Sequence, residues 1–388
     1  MRVTFFSNFL NHHQLPFCEA MVERLGTGFT FVACERTHQE RIKMGYSEMN
    51  REHPFVLRAY ESEALYAQAR QLALESDLVI VGSAPNEFVD ARMSTDQLTF
   101  RYSERLFKNG SWRRFLPTTA KKVYDSFTKH GDRRLYVLCA SAFTAADLAL
   151  CGFPADKCLQ WGYFPEFKTH NLDALMERKR QGVPRLLWAG RLLHWKHPEH
   201  AVTVARLLKA DGYGFEMDVI GVGPLEQTLR DAVRVHGLGD CVHLVGAITP
   251  QQVREHMERA SVYIFTSDFR EGWGAVLNEA MNSGCAVLAS HAIGAVPFLM
   301  ENERNGLIHR SGNVDDLYAN MTRVLDDQRL CTSLGRGAYE SIESLWNASV
   351  AADRLLRTVE SLEAGEPPGF GDGPCSPARV LANEWFGG

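Results

Sequence analysis

A chain of 388 residues, 45% hydrophobic and 23% charged, is too long for one hydrophobic core and too apolar to remain disordered. Its net charge of -5 speaks against a nucleic-acid partner, which needs clustered positive charge, and no run of 18 apolar residues offers a membrane span. The nine cysteines include no Cys-x-x-Cys pair and lie in apolar surroundings, so they read as reduced and buried; with only a short apolar stretch after Met1, a cytoplasmic protein is expected.

In chain order, VTFFSN (3–8), FTFVAC (29–34), PFVLRAY (54–60), DLVIVGS (77–83) and LYVLCAS (135–141) predict strands, while LPFCEAMVERL (15–25), EALYAQARQLAL (63–74) and SAFTAADLALCG (141–152) predict helices. The polar segment EFKTHNLDALMERKRQGVP (166–184) has little apolar periodicity and ends in Gly-Val-Pro, as an interdomain connection does. From Arg185 onward the strands RLLWAG, EMDVIG, CVHLVG, SVYIFTS, CAVLAS and NGLIHR alternate with amphipathic helical segments. Nearly continuous apolar strands separated by helices predict parallel sheets covered on both faces, hence an α/β protein of two Rossmann-like doubly wound domains. Beyond Trp346 a helix, SVAADRLLRTVESLEA, leads into the Gly- and Pro-rich stretch 365–377, either docked or unstructured, and then ARVLANEWF. The expected boundaries are 1–165 for the first domain, joined by 366–388; 166–184 for the linker; and 185–365 for the second domain.

The chemistry concentrates in SVYIFTSDFREGWGAVLNEAMNSGCAVLAS, where a strand ends near Thr266 and a helix starts close to Gly274. Ligands of open α/β sheets bind beyond the carboxyl ends of the strands, which is where this loop falls. Backbone N–H groups of Gly274, Ala275 and Val276 would face an anion, and the small residues leave room for a diphosphate. Glu279 would accept hydrogen bonds from paired ribose hydroxyls, and Glu271 would face a sugar; each alone also fits a solvated helix-end charge. A second strand ends at Gly190 and puts Arg191 and Lys196 in the loop that follows, two cations suited to a diphosphate leaving group, although each alone also fits a soluble surface. No Asp-x-Asp motif occurs, and His194, His197 and His200 spread along a first helical turn without an opposed carboxylate, so no metal is expected. VIGVGPLE (219–226) contains Gly-x-Gly but lacks the third glycine of a dinucleotide fingerprint.

GRL with Lys196 five residues after Arg191, the spaced Glu271 and Glu279 within EGWGAVLNEAM, and VIGVGPLE together resemble the donor domain of the retaining GT-B glycosyltransferases of family four, the glycosyl transferases group 1. VHLVGAITPQQV (242–253), SHAIGAVPFLM (290–300) and NGLIH (305–309) extend the likeness over roughly 185–345. The resemblance implies a GT-B fold, with two domains facing each other across a cleft. It also implies a hexosyltransferase-type enzyme that moves a sugar with retention, independently of metal, from a UDP- or GDP-linked nucleotide-sugar co-substrate to a hydroxyl acceptor in polysaccharide or glycoconjugate synthesis, with no further cofactor. By the same resemblance Arg191 and Lys196 bind the diphosphate, Glu279 the ribose and Glu271 the sugar, while Gly190, Gly223, Ala247, Gly272, Trp273, Gly274, Ala275 and Val276 complete the donor site. The family's paired glycines are here Gly294 and Ala295.

In the first domain Asn11, His12, His13 and Gln14 precede the helix that opens near Leu15; the resemblance implies that this loop faces donor phosphate and acceptor and gives His13 a catalytic or acceptor-side role, while a capping or solvated role fits the residue equally. Tyr102, Ser103, Glu104 and Arg105 stand where the family often carries an acceptor-side histidine, so His12, His13, Tyr102 and Glu104 are the acceptor-side candidates. Phe107, Lys108, Trp112, Arg113, Arg114, Phe115, Lys121 and Lys122 mix basic and aromatic side chains; they suggest weak docking at the inner face of a membrane, toward a saccharide or lipid-linked acceptor, or else a solvated helix face. Two rival readings use the same donor site: a sugar-nucleotide epimerase or hydrolase, and a non-catalytic nucleotide-sugar binding protein.

Overall fold

The computed structural model describes residues 1–37 and 48–387. The chain divides into two compact units, Met1–Glu166 with Asn347–Ala382, and Phe167–Trp346 with Asn383–Gly388.

The first unit holds β1 (Val3–Ser7), β2 (Phe29–Ala33), β3 (Val56–Arg58), β4 (Leu78–Val81), β5 (Thr99–Ser103), β6 (Leu135–Cys139) and β7 (Cys158–Gln160), paired in parallel in the order β3-β2-β1-β4-β5-β6-β7. Apolar side chains stack on the sheet: Phe5 meets Phe31 edge-on at 5.2 Å, and the helix Leu15–Leu25 buries Phe17, Cys18 and Met21. The five strands expected here are present, and two more appear. Strand β5, TFRYS, lies inside the sheet although Arg101 stands at its centre; the guanidinium is buried, donates to Asn86 Oδ1 at 2.6 Å, and loses enough solvation that its pKa falls to about 10. Strand β7 has only three residues and pairs outward with the segment that carries Cys375, through a Leu159–Pro377 bridge and Gln160 N–H donating to Ser376 O at 2.7 Å. The stretch 365–377 is thus docked.

The second unit holds β8 (Arg185–Ala189), β9 (Glu216–Ile220), β10 (Val242–Gly246), β11 (Val262–Phe265), β12 (Ala286–Ser290) and β13 (Leu307–His309), again parallel, in the order β10-β9-β8-β11-β12-β13. All six expected strands form. Leu186, Trp188, Val219, Ile264 and Leu288 pack with Val202 and Ala205 of the helix Pro198–Ala210 and with Leu317 and Met321 of the helix Val314–Asp326, so one apolar core covers the sheet. Strand order reverses between β8 and β11, and in an open α/β sheet the carboxyl ends of the strands at such a reversal are where ligands bind.

Three expected boundaries are corrected. The supposed linker contains a helix, Leu172–Arg180, that buries Leu175, Met176 and Lys179 in the second unit; the Lys179 ammonium donates to Met257 O at 2.7 Å and to Ala260 O. The helix Ala348–Glu363 belongs to the first unit, not the second, because Ala351, Ala352, Leu355 and Val359 are buried against it and Asp353 pairs with Arg24 at 2.6 Å. The segment Asn383–Gly388 belongs to the second unit, not the first, and Trp385 Nε1 donates to His291 O at 3.0 Å. Among the described residues no helix is long and apolar enough to cross a membrane.

Candidate functional site

The loops beyond β8 and β11 are tied together. Trp188 Nε1 donates to Thr266 Oγ1 at 2.9 Å, the same hydroxyl donates to Lys196 O at 2.6 Å, and Asp268 N–H donates to Trp195 O at 2.9 Å. This lacing brings Lys196 Nζ to 2.5 Å from Glu271 Oε2, and Ser267 Oγ donates to the same carboxylate oxygen at 2.9 Å. Lys196 also lies over the Trp195 ring at 4.6 Å from its centroid. Arg191 is exposed and makes no ion pair with another described residue. Beneath the site Tyr263 donates to Ala189 O at 3.1 Å; burial, followed by the charges of Glu279 and Glu271, raises its phenol well above the ordinary value, so both carboxylates lie within electrostatic reach of one buried ring.

Two glycines make room at this place. Gly221, at φ +134, lies so close to Gly190 that a Cβ would meet its carbonyl oxygen at 1.8 Å, and a Cβ on Gly223 would meet Leu192 O at 2.6 Å. The loops after β8, β9 and β10 are thereby stitched edge to edge: Gly190 N–H donates to Ile220 O at 3.0 Å and Gly221 N–H to Gly246 O at 2.9 Å, with Ala247 exposed beside them.

The loop 266–275 leads into the helix Val276–Asn282. The N–H groups of Gly274, Ala275 and Val276 find no acceptor among the described residues, although Gly274 and Ala275 are buried and a Cβ on Gly274 would meet the Phe265 ring at 2.7 Å. Glu279, inside the helix and partly exposed, is crowded by protein: desolvation raises its carboxyl to about 7 although Arg254 and Lys168 oppose this. Gly294 N–H donates to Glu271 O at 3.3 Å and Ala295 N–H to Trp273 O at 3.1 Å, so the turn after β12 braces the loop after β11.

Trp273 is corrected. Its side chain is 0% exposed, donates to Asn278 Oδ1 at 2.9 Å and packs on Trp346 at 5.9 Å, so the ring supports the loop from within and cannot touch a ligand. The sequence missed Ser267 and Asp268, which hold Glu271 and the opposite loop; their only signal was that they directly follow a strand. The histidine reading is corrected too. A carboxylate does stand with them: His197, at left-handed φ 48, has Nδ1 at 2.9 Å from Glu199 Oε1 and stacks on His200 at 4.7 Å, and these three could bring ligand atoms within 4.8 Å of one another, without His194. Asp268 and Glu199 raise the His197 imidazole to about 9 against partial burial.

In the first unit Asn11 Oδ1 accepts from His13 N–H at 3.0 Å, turning the chain just before the helix Leu15–Leu25. The four acceptor-side candidates share one locality. His12 and His13 rings lie 3.7 Å apart, His13 stacks on Tyr163 at 5.7 Å, Tyr163 meets Tyr102 edge-on at 5.9 Å, and Tyr163 donates to Glu104 Oε1 at 2.6 Å. Glu104 also pairs with Lys108, and Tyr102 donates to Gly162 O at 3.3 Å. Tyr163, in a loop past β7, had no motif to announce it.

Two parallel-sheet Rossmann-like units of this kind make the GT-B fold, and solved structures similar to this chain include glycosyltransferases. HepE of Anabaena, solved in complex with UDP, superposes with a TM-score of 0.69 at 15% identity, over 93% of this chain and 100% of that one; a glycosyltransferase of Rickettsia africae gives 0.63, at 15% identity, over 93% and 98%. Residues 176–341 match the family described as glycosyl transferases group 1. Among curated relatives, the amylovoran biosynthesis glycosyltransferase AmsK of Erwinia amylovora is 29% identical over 55% of this chain and 53% of its own. The GDP-mannose-dependent alpha-(1-6)-phosphatidylinositol monomannoside mannosyltransferase of Mycobacterium tuberculosis is 26% identical over 47% and 49%. The chain spans about half the length of these two curated relatives.

Proposed function

We propose that the chain is a retaining, metal-independent glycosyltransferase that takes a sugar from a UDP- or GDP-linked donor to a hydroxyl of a saccharide or lipid-linked acceptor. The single observation that carries this is the convergence of the loops after β8 and β11 at the strand-order reversal, where Lys196 meets Glu271 at 2.5 Å. A cation there, with Arg191 nearby in sequence and open to solvent, suits the charge that grows on a departing diphosphate. Glu271 suits donor sugar hydroxyls and Glu279 the ribose. That the two curated relatives named above are glycosyltransferases supports transfer rather than hydrolysis or binding alone.

On the acceptor side, the exposed Trp112, Phe115 and Tyr124 stand with Arg113, Arg114, Lys121 and Lys122, a set suited to an anionic membrane face. Phe107 and Lys108 drop out of it, the first buried and the second paired with Glu104. A thermal-shift panel of UDP, GDP, ADP and their sugar conjugates tests the donor reading. Stabilisation by one nucleotide family and sugar transfer to an added acceptor, unaffected by EDTA, are expected. Stabilisation without transfer, or sugar release without acceptor, replaces it with a binding protein or a hydrolase.

A further inference from the structure

The segment 383–387 makes contacts that the donor chemistry does not by itself require. Trp385 Nε1 donates to His291 O at 3.0 Å, Phe386 lies 6.3 Å from the His291 ring, and Arg310 Nη2 donates to Gly387 O at 3.2 Å. His291 directly follows β12, at the carboxyl edge of the sheet, where its N–H donates to His309 O at 2.9 Å and its Nδ1 accepts from Ser311 N–H at 3.0 Å. The same imidazole meets Phe269 edge-on at 5.4 Å, and Phe269 lies two residues before Glu271. Past His291 the chain runs directly to Gly294, which donates to Glu271 O at 3.3 Å. The loop that presents Glu271 is therefore held from Trp385 and Phe386 by two routes, one through the His291 ring to Phe269 and one through the 291–295 backbone.

We infer that Trp385 and Phe386 are positioning residues that fix the Glu271 loop for the donor sugar, an inference that rests on the donor reading above. Neither touches the site; they act by clamping His291, the residue from which both routes start. Trp273, buried on Phe298 and Trp346, anchors the far end of the loop, so the clamp through His291 bears on the less buried arc 268–271, and local opening is fastest where contacts are fewest.

The test compares wild type with Trp385→Ala and Phe386→Ala in the full chain, by hydrogen exchange across residues 266–275 and by donor kinetics with the nucleotide-sugar that stabilises the wild type. Expected are roughly tenfold faster exchange confined to that loop and a donor KM raised about tenfold with kcat changed less than threefold, as loosening of a binding loop would give. Phe386→Tyr, which keeps the ring, should restore both. Unchanged exchange in 266–275, or faster exchange spread equally over β8 to β13, overturns the inference. If wild type binds none of the nucleotide-sugars, the donor reading fails, and the exchange pattern alone still decides whether this segment holds the loop.

Discussion

Lys196 Nζ stands 2.5 Å from Glu271 Oε2, although 75 residues separate the two in the chain. Each side chain is only 12% exposed, so the pair is held where water screens it weakly. A diphosphate arriving here would compete with the carboxylate for the ammonium, leaving Glu271 free to accept from sugar hydroxyls. Lys196→Ala should therefore lower turnover by ~100-fold or more, the usual cost of losing a group that stabilises developing charge. Because the two residues share one contact, Lys196→Ala with Glu271→Gln should cost less than the sum of the single losses. Steady-state kinetics of the four forms decides it, and a loss below threefold for Lys196→Ala rejects the assignment.

Glu279 has a folded pKa of about 7, raised from 4.5 chiefly by desolvation. Only the ionised carboxylate can accept from two hydroxyls at once, so kcat/KM for the donor should rise with pH up to about 7 and level off above it. Glu279→Gln should be slower and flat across that range. A raised carboxyl pKa also means that the fold is stabilised by Glu279 below the unfolded value and loses that contribution as pH climbs through about 7. The same variant should then melt higher than wild type at pH 8, and an equal or lower Tm there contradicts the desolvation account.

His197 shows the same sign of pH dependence from the opposite cause, partners that favour its charged form. Asp268, then Glu199, raise its imidazole from 6.5 to about 9, so its contribution to stability is complete below 6.5 and lost as pH rises through about 9. Solvent reaches all three partners and screens them, so the loss should be about 1 kcal/mol, roughly 2 to 4 °C in Tm. His197→Asn keeps a side chain that tolerates the left-handed backbone but removes the charge, so between pH 6.5 and 9 its Tm should fall by roughly 2 to 4 °C less than that of wild type. Calorimetry over that range shows whether the slope shrinks by that amount.

What the sequence made legible was the second unit. Its strands are apolar on both faces, so RLLWAG or CAVLAS could hardly be anything else, and the residues that carry chemistry follow them directly. Glu271, Lys196 and the Gly274 region were legible for that reason. Trp273 misled because an aromatic beside glycines in a site loop looks like a ligand platform, and only its packing on Trp346 reveals a support. In the first unit a buried arginine hid β5, and β7, CLQ, lies in no apolar run like those that announced the equally short β3 and β13. Helices 172–180 and 348–363 were misplaced because amphipathic spacing tells that a face is buried, not which unit buries it.

Tyr163 was invisible in sequence and is the centre of the cluster that gathers the acceptor-side candidates. Its hydroxyl donates to Glu104 at 2.6 Å while its ring carries His13 at 5.7 Å and meets Tyr102 at 5.9 Å, so one side chain orients three of the four candidates. Tyr163→Phe keeps the ring stacking and removes the hydrogen bond to Glu104 together with the hydroxyl's contact to Tyr102, a change of about 1.5 to 3 kcal/mol for the bond to a charged acceptor where it is well formed. If Glu104 engages the acceptor hydroxyl, acceptor KM should rise at least about tenfold while donor KM and nucleotide binding stay within twofold. Glu104→Gln should reproduce this pattern and the double variant should add little to it, since both substitutions remove the same contact. Equal losses on donor and acceptor terms would instead show that the cluster only supports the fold of the first unit, and an unchanged acceptor KM would remove Glu104 from the acceptor side.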